Sequence, residues 1–446
     1  MSRQNVFAGL ALLFPVATAA PAVAQQQGAG QDANIQGFPV NAVSATTAAV
    51  PPESVPPRKD RRVGKLHDRL RAQKAQDDAD RETATGLEYD YLAFKKELET
   101  SVGLTFQIPP TAMIQWGKPN AGASASQGLL EPSVNWDMFD SPDIGRGSIQ
   151  FGYTYNKYWS RQTGVTLSNR LGVLSPVNDY PANTYHFSTL TYTHEFPGDW
   201  LELVVGQYQF GAFDSNQYAS NVQKNFINYA LSQNGSQAYI PDSLGGYAQA
   251  NPTSALSFAA GLQNAQNVTG DYIETSALGR GPWAWFAYGQ WTPTFPLLAK
   301  SQSAQYSLLY YEQPSVPEQP VSGQGWSLNA VQNLNATWGL FARANHSTGP
   351  ISPIATSLAG GVIYNNPSGL DPKDQIGLGL AWNVSNRAAF VGQPTRHSET
   401  VAEAYWNFVF FKFVQVGPDL QVILNPALCP KAGTAEVFTF RLTGLF

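Results

Sequence analysis

The sequence predicts an all-β protein: a transmembrane antiparallel β-barrel of about 16 strands, preceded by a disordered and helical N-terminal segment in the periplasm. Three observations support this fold class: an export signal at the start, an amphipathic strand at the end and an unusual composition. Charged residues make up 13% of the chain, well below the usual share, and Phe, Trp and Tyr make up 12%. A barrel with one lipid-facing and one water-facing surface needs this balance of residue types.

The first 24 residues predict a signal peptide. Arg3 supplies the positive start, residues 6–20 form an uncharged apolar run, and Ala22-Val23-Ala24 fits the small-x-small cleavage pattern. The run is too short, and is interrupted by Pro15, for a spanning helix, and no later window offers the ~18 consecutive apolar residues that one needs. An exported chain without such a helix can still cross a membrane as a closed barrel, which places this protein in the bacterial outer membrane.

Residues 25–86 predict a periplasmic segment. Residues 25–57 are rich in Ala, Gln, Val, Pro and Ser without periodicity, which predicts disorder. Residues 63–82 predict a charged helix, whose short apolar stripe consists of Val63, Leu66 and Leu70. Two interpretations fit: a helix surrounded by solvent, or a spacer in which residues 58–86 contact peptidoglycan.

The barrel domain, residues 87–446, begins with a second predicted helix over 89–102. It places four apolar residues on one side and Lys96, Glu97 and Glu99 on the other, and Gly103 follows as a C-cap glycine. We expect this helix to dock near or inside the periplasmic mouth of the barrel. The apolar residues are Tyr91, Phe94, Leu98 and Val102.

The last strand gives the clearest alternation. Phe438, Phe440 and Leu442 lie on one face, and polar residues such as Thr439 and Arg441 lie on the other. The chain ends on Phe446, which resembles the C-terminal signature of outer-membrane barrels and implies the barrel-assembly machinery as a partner. At roughly 21 residues for each strand and its connection, the chain after Leu104 gives sixteen strands, although fourteen or eighteen also fit. A lumen of that width is expected to hold water.

Residues 213–253 form a connection too long for a simple turn, with a short helix over 221–231. It either folds into the lumen, where the part from Asp214 would narrow the channel, or lies outside as a mobile loop.

Other functions find little support in the sequence. The net charge of −5 excludes the basic surface that a nucleic-acid-binding protein needs, and the single Cys429 cannot form an intramolecular disulfide. There is no HExxH motif, and the histidines lie outside any nucleophile motif. The sequence therefore predicts neither an enzyme nor a cofactor, metal ion or catalytic residue. The histidines are His67, His186, His194, His346 and His397.

Four segments resemble a known family, the carbohydrate-selective porins of the OprB type. The resemblance covers roughly residues 91–446 and is most specific in the predicted penultimate hairpin. One departure is Gln207, which stands where the family has a lysine. The four segments are Tyr91–Phe106, Val205–Pro241 with Asp214, Trp338–Ala344, and Glu399–Tyr405 with Pro418–Pro426.

The resemblance implies passive, substrate-selective diffusion of mono- or small saccharides across the outer membrane, with the solute and the lipid as partners. Arg343, Glu403 and Arg441 are expected on the lumen wall, because charge facing lipid is costly at the midplane. They either bind sugar hydroxyls or pair with each other as a structural ladder. Candidate pore-lining residues are Arg170, Glu195, Glu202, Asp214, Lys224, Arg343, Glu403, Tyr405 and Arg441.

Three alternatives remain open beside a sugar channel. A general or differently selective outer-membrane pore would share the fold. A barrel enzyme would need a nucleophile and base at one rim. An envelope anchor would depend on residues 58–86.

Overall fold

The computed structural model describes residues 66–119, 122–268, 273, 275, 278–279, 281–295, 302–410 and 412–446. The predicted signal peptide and the expected disorder of residues 25–57 lie outside this part of the chain. Four helices are α1 Leu66–Thr83, α2 Leu87–Val102, α3 Gly164–Leu171 and α4 Tyr229–Ser232. None of the helices in the described ranges is both long and apolar enough to cross a membrane.

Apart from two short 3-10 helices, Pro197–Asp199 and Phe210–Asp214, the remaining described elements are strands of one antiparallel sheet. They are β1 Leu104–Gln107, β2 Pro110–Lys118, β3 Ala123–Leu130, β4 Ser133–Ser141, β5 Gly145–Tyr158, β6 Thr184–Glu195, β7 Leu201–Gln209, β8 Asp242–Thr253, β9 Leu256–Asn264, β10 Trp283–Trp291, β11 Thr294–Phe295, β12 Gln302–Gln313, β13 Gly323–Asn333, β14 Trp338–Thr348, β15 Ile354–Asn365, β16 Gln375–Ser385, β17 Ser398–Phe410, β18 Val414–Leu424 and β19 Thr434–Gly444.

The sheet closes into a barrel with sixteen strand positions. β3 and β4 both pair with β5, β10 and β11 both pair with β12, and β1 and β2 pair with β4 and β3 in turn. Each of these couples is therefore one interrupted strand, broken between β1 and β2 by Pro109 and between β3 and β4 by Pro132, neither of which can donate to a ladder. β19 then pairs with β2, from Glu436 opposite Lys118 to Thr443 opposite Thr111. The predicted closed barrel and its strand number are confirmed.

The two faces of the wall follow the predicted alternation. On β19, Phe438 is 45% exposed on the outer surface, whereas its neighbour Val437 and Arg441 face inward and are buried. On β16, Leu378 and Leu380 point outward between small, buried residues. Because this outer face is apolar around the ring, it suits lipid, and the buried polar face lines the lumen.

The connections divide the barrel into two ends. The end that carries Phe446, β1 and helices α1 and α2 has mostly short turns, such as 142–144 and 196–200. The opposite end carries the long connections 159–183 and 210–241. Short turns are typical of the periplasmic end, so α1 and α2 lie at the periplasmic mouth.

Helix α2 ends as predicted at Gly103. Its φ of 75° is left-handed, and a Cβ there would lie 2.4 Å from the Asp137 carbonyl oxygen, so only glycine fits. The predicted apolar stripe is only partly right. Leu92, Lys95 and Leu98 are the buried residues of α2, whereas Phe94 and Val102 are exposed.

Helix α1 lies against the inside of the periplasmic mouth, and the prediction of a helix surrounded by solvent is wrong for its described residues. Leu66 and Leu70 are buried, and the Arg71 guanidinium forms an ion pair with Glu195 at the end of β6. The apolar stripe is short because most of the surface that α1 contacts is polar.

The long connection is shorter than predicted, because residues 242–253 form strand β8 instead of a loop. The sequence pattern does not predict this strand, because Gly245 and Gly246 and the polar residues near its ends weaken the apolar alternation. The predicted helix over 221–231 is reduced to α4, whose N-cap residue Asn228 accepts a hydrogen bond from the Ala230 backbone N–H at 3.1 Å.

Candidate functional site

The connection 210–241, here called the inner loop, folds into the lumen. Most of its residues are buried, and its partners lie on opposite parts of the wall. Gln223 donates to the Pro109 carbonyl, just before β2, and to the Thr111 hydroxyl on β2. Asn216 donates to Asn329 on β13. The structure therefore agrees with an inward loop and not with a loop that lies outside.

Arg343 on β14 fixes the middle of the inner loop. Its guanidinium donates to the backbone carbonyls of Gln233 at 2.5 Å and Ala219 at 2.7 Å, and to the Asn329 side chain at 2.8 Å. Five donors in a rigid planar group can serve several carbonyls at once. The residue faces the lumen as predicted, but its partners belong to the loop.

Glu403 on β17 binds the same loop with the opposite polarity. One carboxylate oxygen accepts from the Ile227 backbone N–H at 2.5 Å, and the other accepts from the Asn228 N–H at 3.0 Å. Only 3% of the residue is exposed. Because both carboxyl oxygens accept from neighbouring backbone N–H groups, Glu403 attaches residues 227 and 228 to the wall at two points.

Arg441 on β19 completes the set. It donates to the Asn225 carbonyl at 2.9 Å, to the Val222 carbonyl and to the Asn407 side chain at 2.7 Å. The alternative in which Arg343, Glu403 and Arg441 pair with each other in a ladder does not describe these contacts. Each of them joins the wall to the backbone of the inner loop.

Asp214 lies near the start of the inner loop, shortly after β7. Its carboxylate accepts from the side chains of Asn329 at 2.8 Å and Asn234 at 2.7 Å, and from Ser327. It is buried, so it serves the fold of the loop and its contact with β13. Burial raises the pKa of this carboxyl, and the Arg343 charge opposes that rise.

The connection 159–183, here called the second loop, also enters the lumen and was missed from the sequence. Glu399 on β17 accepts from the backbone N–H groups of Leu174 at 2.7 Å and Ser175 at 3.0 Å. The second loop carries α3, which begins with a Thr163 and Thr166 capping box and ends at Gly172. These cap residues were the available sequence signal. Apolar residues of both loops and of the wall form one cluster, so the expected water-filled lumen is narrowed on this side.

The other predicted lining residues are spread over the lumen. Arg170 lies on α3, not on a wall strand, and is exposed. Glu202 is buried on β7, where the Tyr247 hydroxyl donates to it at 3.4 Å. Glu195 ends β6 at the periplasmic mouth, where Arg146 donates to it at 2.6 Å beside Arg71.

Lys224 lines a cavity at the periplasmic mouth, and Tyr405 lies behind it. The cavity has an open volume of about 950 Å³, including solvent at its mouth, between α1, α2, the inner loop and the wall. Tyr405 donates to Gln375 at 2.5 Å, and Asn225 lies 3.5 Å from its hydroxyl. Burial and the nearby Lys373 lower the pKa of Lys224 to about 8.

Amide and charged side chains make up most of the lining of this mouth cavity. Gln76 Oε1 and Gln415 Oε1 are buried acceptors without a hydrogen-bond partner among the described residues. Tyr91, Phe413 and Phe446 add aromatic surface, with their rings 5.7–6.2 Å apart. Across the described part of the chain, no group of three or more His, Cys, Asp or Glu is placed to hold a metal ion.

Known proteins match both the sequence and the fold. The model of a family described as carbohydrate-selective porin, OprB family, matches residues 156–446. Porin AaxA of Chlamydia pneumoniae is 34% identical over 356 residues, which cover 78% of this chain and 79% of the relative. Porin AaxA of Chlamydia trachomatis serovar D is 31% identical over 369 residues, with 78% of each chain covered. The high-pH structure of OprB from Pseudomonas putida aligns with a TM-score of 0.65 at 17% identity, covering 80% of this chain and 97% of that one.

Proposed function

Since the chain belongs to the OprB carbohydrate-selective porin family and is therefore an outer-membrane channel, we propose that it admits small saccharides by passive diffusion. The predicted family is confirmed by its matches, while sugar selectivity is our inference for this chain. Export and removal of residues 1–24 belong to the same proposal.

The mouth cavity is the observation that carries the proposal. A saccharide presents hydroxyl groups, which donate and accept hydrogen bonds, and a weakly apolar ring face. Amides of the wall and the inner loop that line the cavity, such as Gln415 and Gln217, can both donate to and accept from solute hydroxyls. The aromatic rings of Tyr91 and Phe413 border the same space.

Charge balance in the cavity favours a neutral solute. Two of its lysines face carboxylates, because Lys373 Nζ lies 2.8 Å from Asp80 and Lys95 forms an ion pair with Asp77. With these charges paired, the lining exerts a weaker field on ions, to which Lys224 still adds a positive charge. Each contact is individually weak, as a conducting site requires, because the solute must leave as readily as it enters.

The inner loop supplies the narrowing that selectivity needs. Because Arg343, Glu403 and Arg441 hold its backbone to the wall, the loop stays in the lumen while solutes pass. In this proposal the three residues position the constriction, and Lys224 and the cavity amides contact the solute. Asp214 holds the start of the loop.

Single-channel conductance in planar bilayers tests the proposal. Glucose is expected to block the ionic current in a saturable manner, whereas a size-matched non-sugar is not. Gln415→Leu, which removes one amide from the cavity lining, is expected to weaken the block, and Gln249→Leu is the matched control because Gln249 faces the lumen on β8 but does not line the cavity. Current that glucose leaves unchanged would indicate the general pore instead. No current from folded, inserted protein would bring forward the barrel enzyme or the envelope anchor.

A further inference from the structure

Helix α1 has a charge pattern that the channel function does not require. Its first half is mostly basic, with Arg69, Arg71 and Lys74 beside one acid. Its second half is mostly acidic, with Asp77, Asp78, Asp80 and Glu82 beside Arg81. The two halves contact surfaces of the opposite sign at two depths of the periplasmic mouth.

The basic half meets acidic groups of the barrel. Arg71 forms an ion pair with Glu195, which also binds Arg146, at the end of β6. Arg69 is buried near Glu131; burial lowers the pKa of its guanidinium to about 10, and the Glu131 carboxylate opposes that fall. Leu66 borders a small space beside Gln150, which faces inward on β5.

The acidic half meets lysines nearer the periplasm. Asp80 pairs with Lys373 in the turn between β15 and β16 at 2.8 Å, and Asp77 pairs with Lys95 on α2. Lys96 lies 3.2 Å from Asp78. These charges on α1 therefore bridge opposite parts of the mouth, from β6 to the turn after β15.

The attachment of α1 to the barrel is also of a kind that can be reversed. Residues 84–86 join it to α2, and Gly86 has a φ of 60° with no atom within 4 Å of the position of a Cβ. Glycine at such an open position allows a change of direction without a clash. Leu66 and Leu70 are the buried leucines of α1, so withdrawing the helix would expose little apolar surface, and solvation of its charged face would offset part of that cost.

We propose that α1 is a removable plug that closes the periplasmic mouth and is held there by its two oppositely charged halves. This inference depends on the proposed channel function. Withdrawal about Gly86 would break the ion pairs of α1 with the barrel and with α2 and open the mouth, while the wall strands keep their pairing and the inner loop keeps its contacts with Arg343, Glu403 and Arg441.

A charge exchange in the full mature chain tests the plug. Lys373→Glu and Asp80→Lys each place like charges together, and each is expected to raise the open probability of single channels in bilayers roughly tenfold, the ratio that 1.4 kcal/mol produces. The double variant K373E/D80K restores an opposite pair and is expected to return the channel to the wild-type level. Lys412→Glu is the matched control, because Lys412 lines the same cavity but pairs with Asp371.

The outcomes separate the plug from the channel. Wild-type channels that are already fully open, with single variants that behave alike, would overturn the plug and leave the channel proposal intact. An increase that the double variant does not reverse, or that K412E reproduces, would also overturn it, since the cause would then be cavity charge. If no variant conducts although each is folded and inserted, the channel function itself fails.

Discussion

Removing the Glu403 carboxylate should release the inner loop from the wall. In Glu403→Ala, the backbone N–H groups of Ile227 and Asn228 lose their acceptors in a buried setting. Each unsatisfied buried group costs about 1–3 kcal/mol, so the variant should weaken the attachment of this segment by about 2–6 kcal/mol. Glu403→Gln keeps the shape and one acceptor oxygen, and should lose about half as much.

Hydrogen exchange followed by mass spectrometry measures this effect directly. Peptides covering residues 220–235 should exchange faster in E403A than in the wild type, while peptides from β16 keep their protection. Glu436→Ala is the matched control, because Glu436 is exposed on β19. In bilayers, E403A should also conduct more current and lose its sugar block. Unchanged exchange in residues 220–235 would refute the conclusion that Glu403 holds the loop.

Three further predictions concern other parts of the molecule. Because the pKa of Lys224 is lowered to about 8, its positive charge is present below pH 8 and is lost above it, so reversal potentials should show rising cation preference between pH 7 and 9, and Lys224→Met should abolish that change. Gly103→Ala should lower the unfolding temperature of the folded protein, since its Cβ would lie 2.4 Å from the Asp137 carbonyl oxygen at a left-handed φ; an unchanged temperature would contradict this account. Phe446→Ala should reduce the amount of folded protein in the outer membrane, because it removes the ring that stacks on Phe413, 5.7 Å away, beside the start of β18; an unchanged amount would contradict this account.

The wall of the barrel was predictable because it depends on local alternation. Residues such as Phe438 and Arg441 reveal their faces through sequence neighbours alone, and a charge facing lipid is costly enough to orient Arg343 and Glu403. Alternation does not predict strand β8, because Gly245 and Gly246 interrupt its apolar period.

The contacts inside the lumen were not predictable, because they join residues far apart in sequence. Arg343 binds the carbonyls of Gln233 and Ala219, and a backbone carbonyl leaves no trace in residue type. Arg170 is predicted among the pore-lining residues, but it lies on α3. A short helix inside a loop has no apolar period long enough to predict from the sequence.

Helix α1 shows a further limit of reading sequences by hydrophobicity. A helix with so short an apolar stripe is expected to be surrounded by solvent, because the usual partner of a helix is an apolar surface. Here much of the surface is the polar lumen, and pairs such as Asp80 with Lys373 provide the fit.

The closure of the ring by β2 and β19 has a consequence for how the chain matures. Thr111 and Thr443 contact each other although they are 332 positions apart, so the first strand has no partner on one side until the last has been delivered. Pairings of such high sequence separation form slowly, and a waiting sheet edge readily joins other chains. Until the barrel closes, the chain therefore depends on protection from aggregation throughout its passage across the periplasm. A chain that stops before Thr434 would keep two open edges permanently, even with every other strand intact.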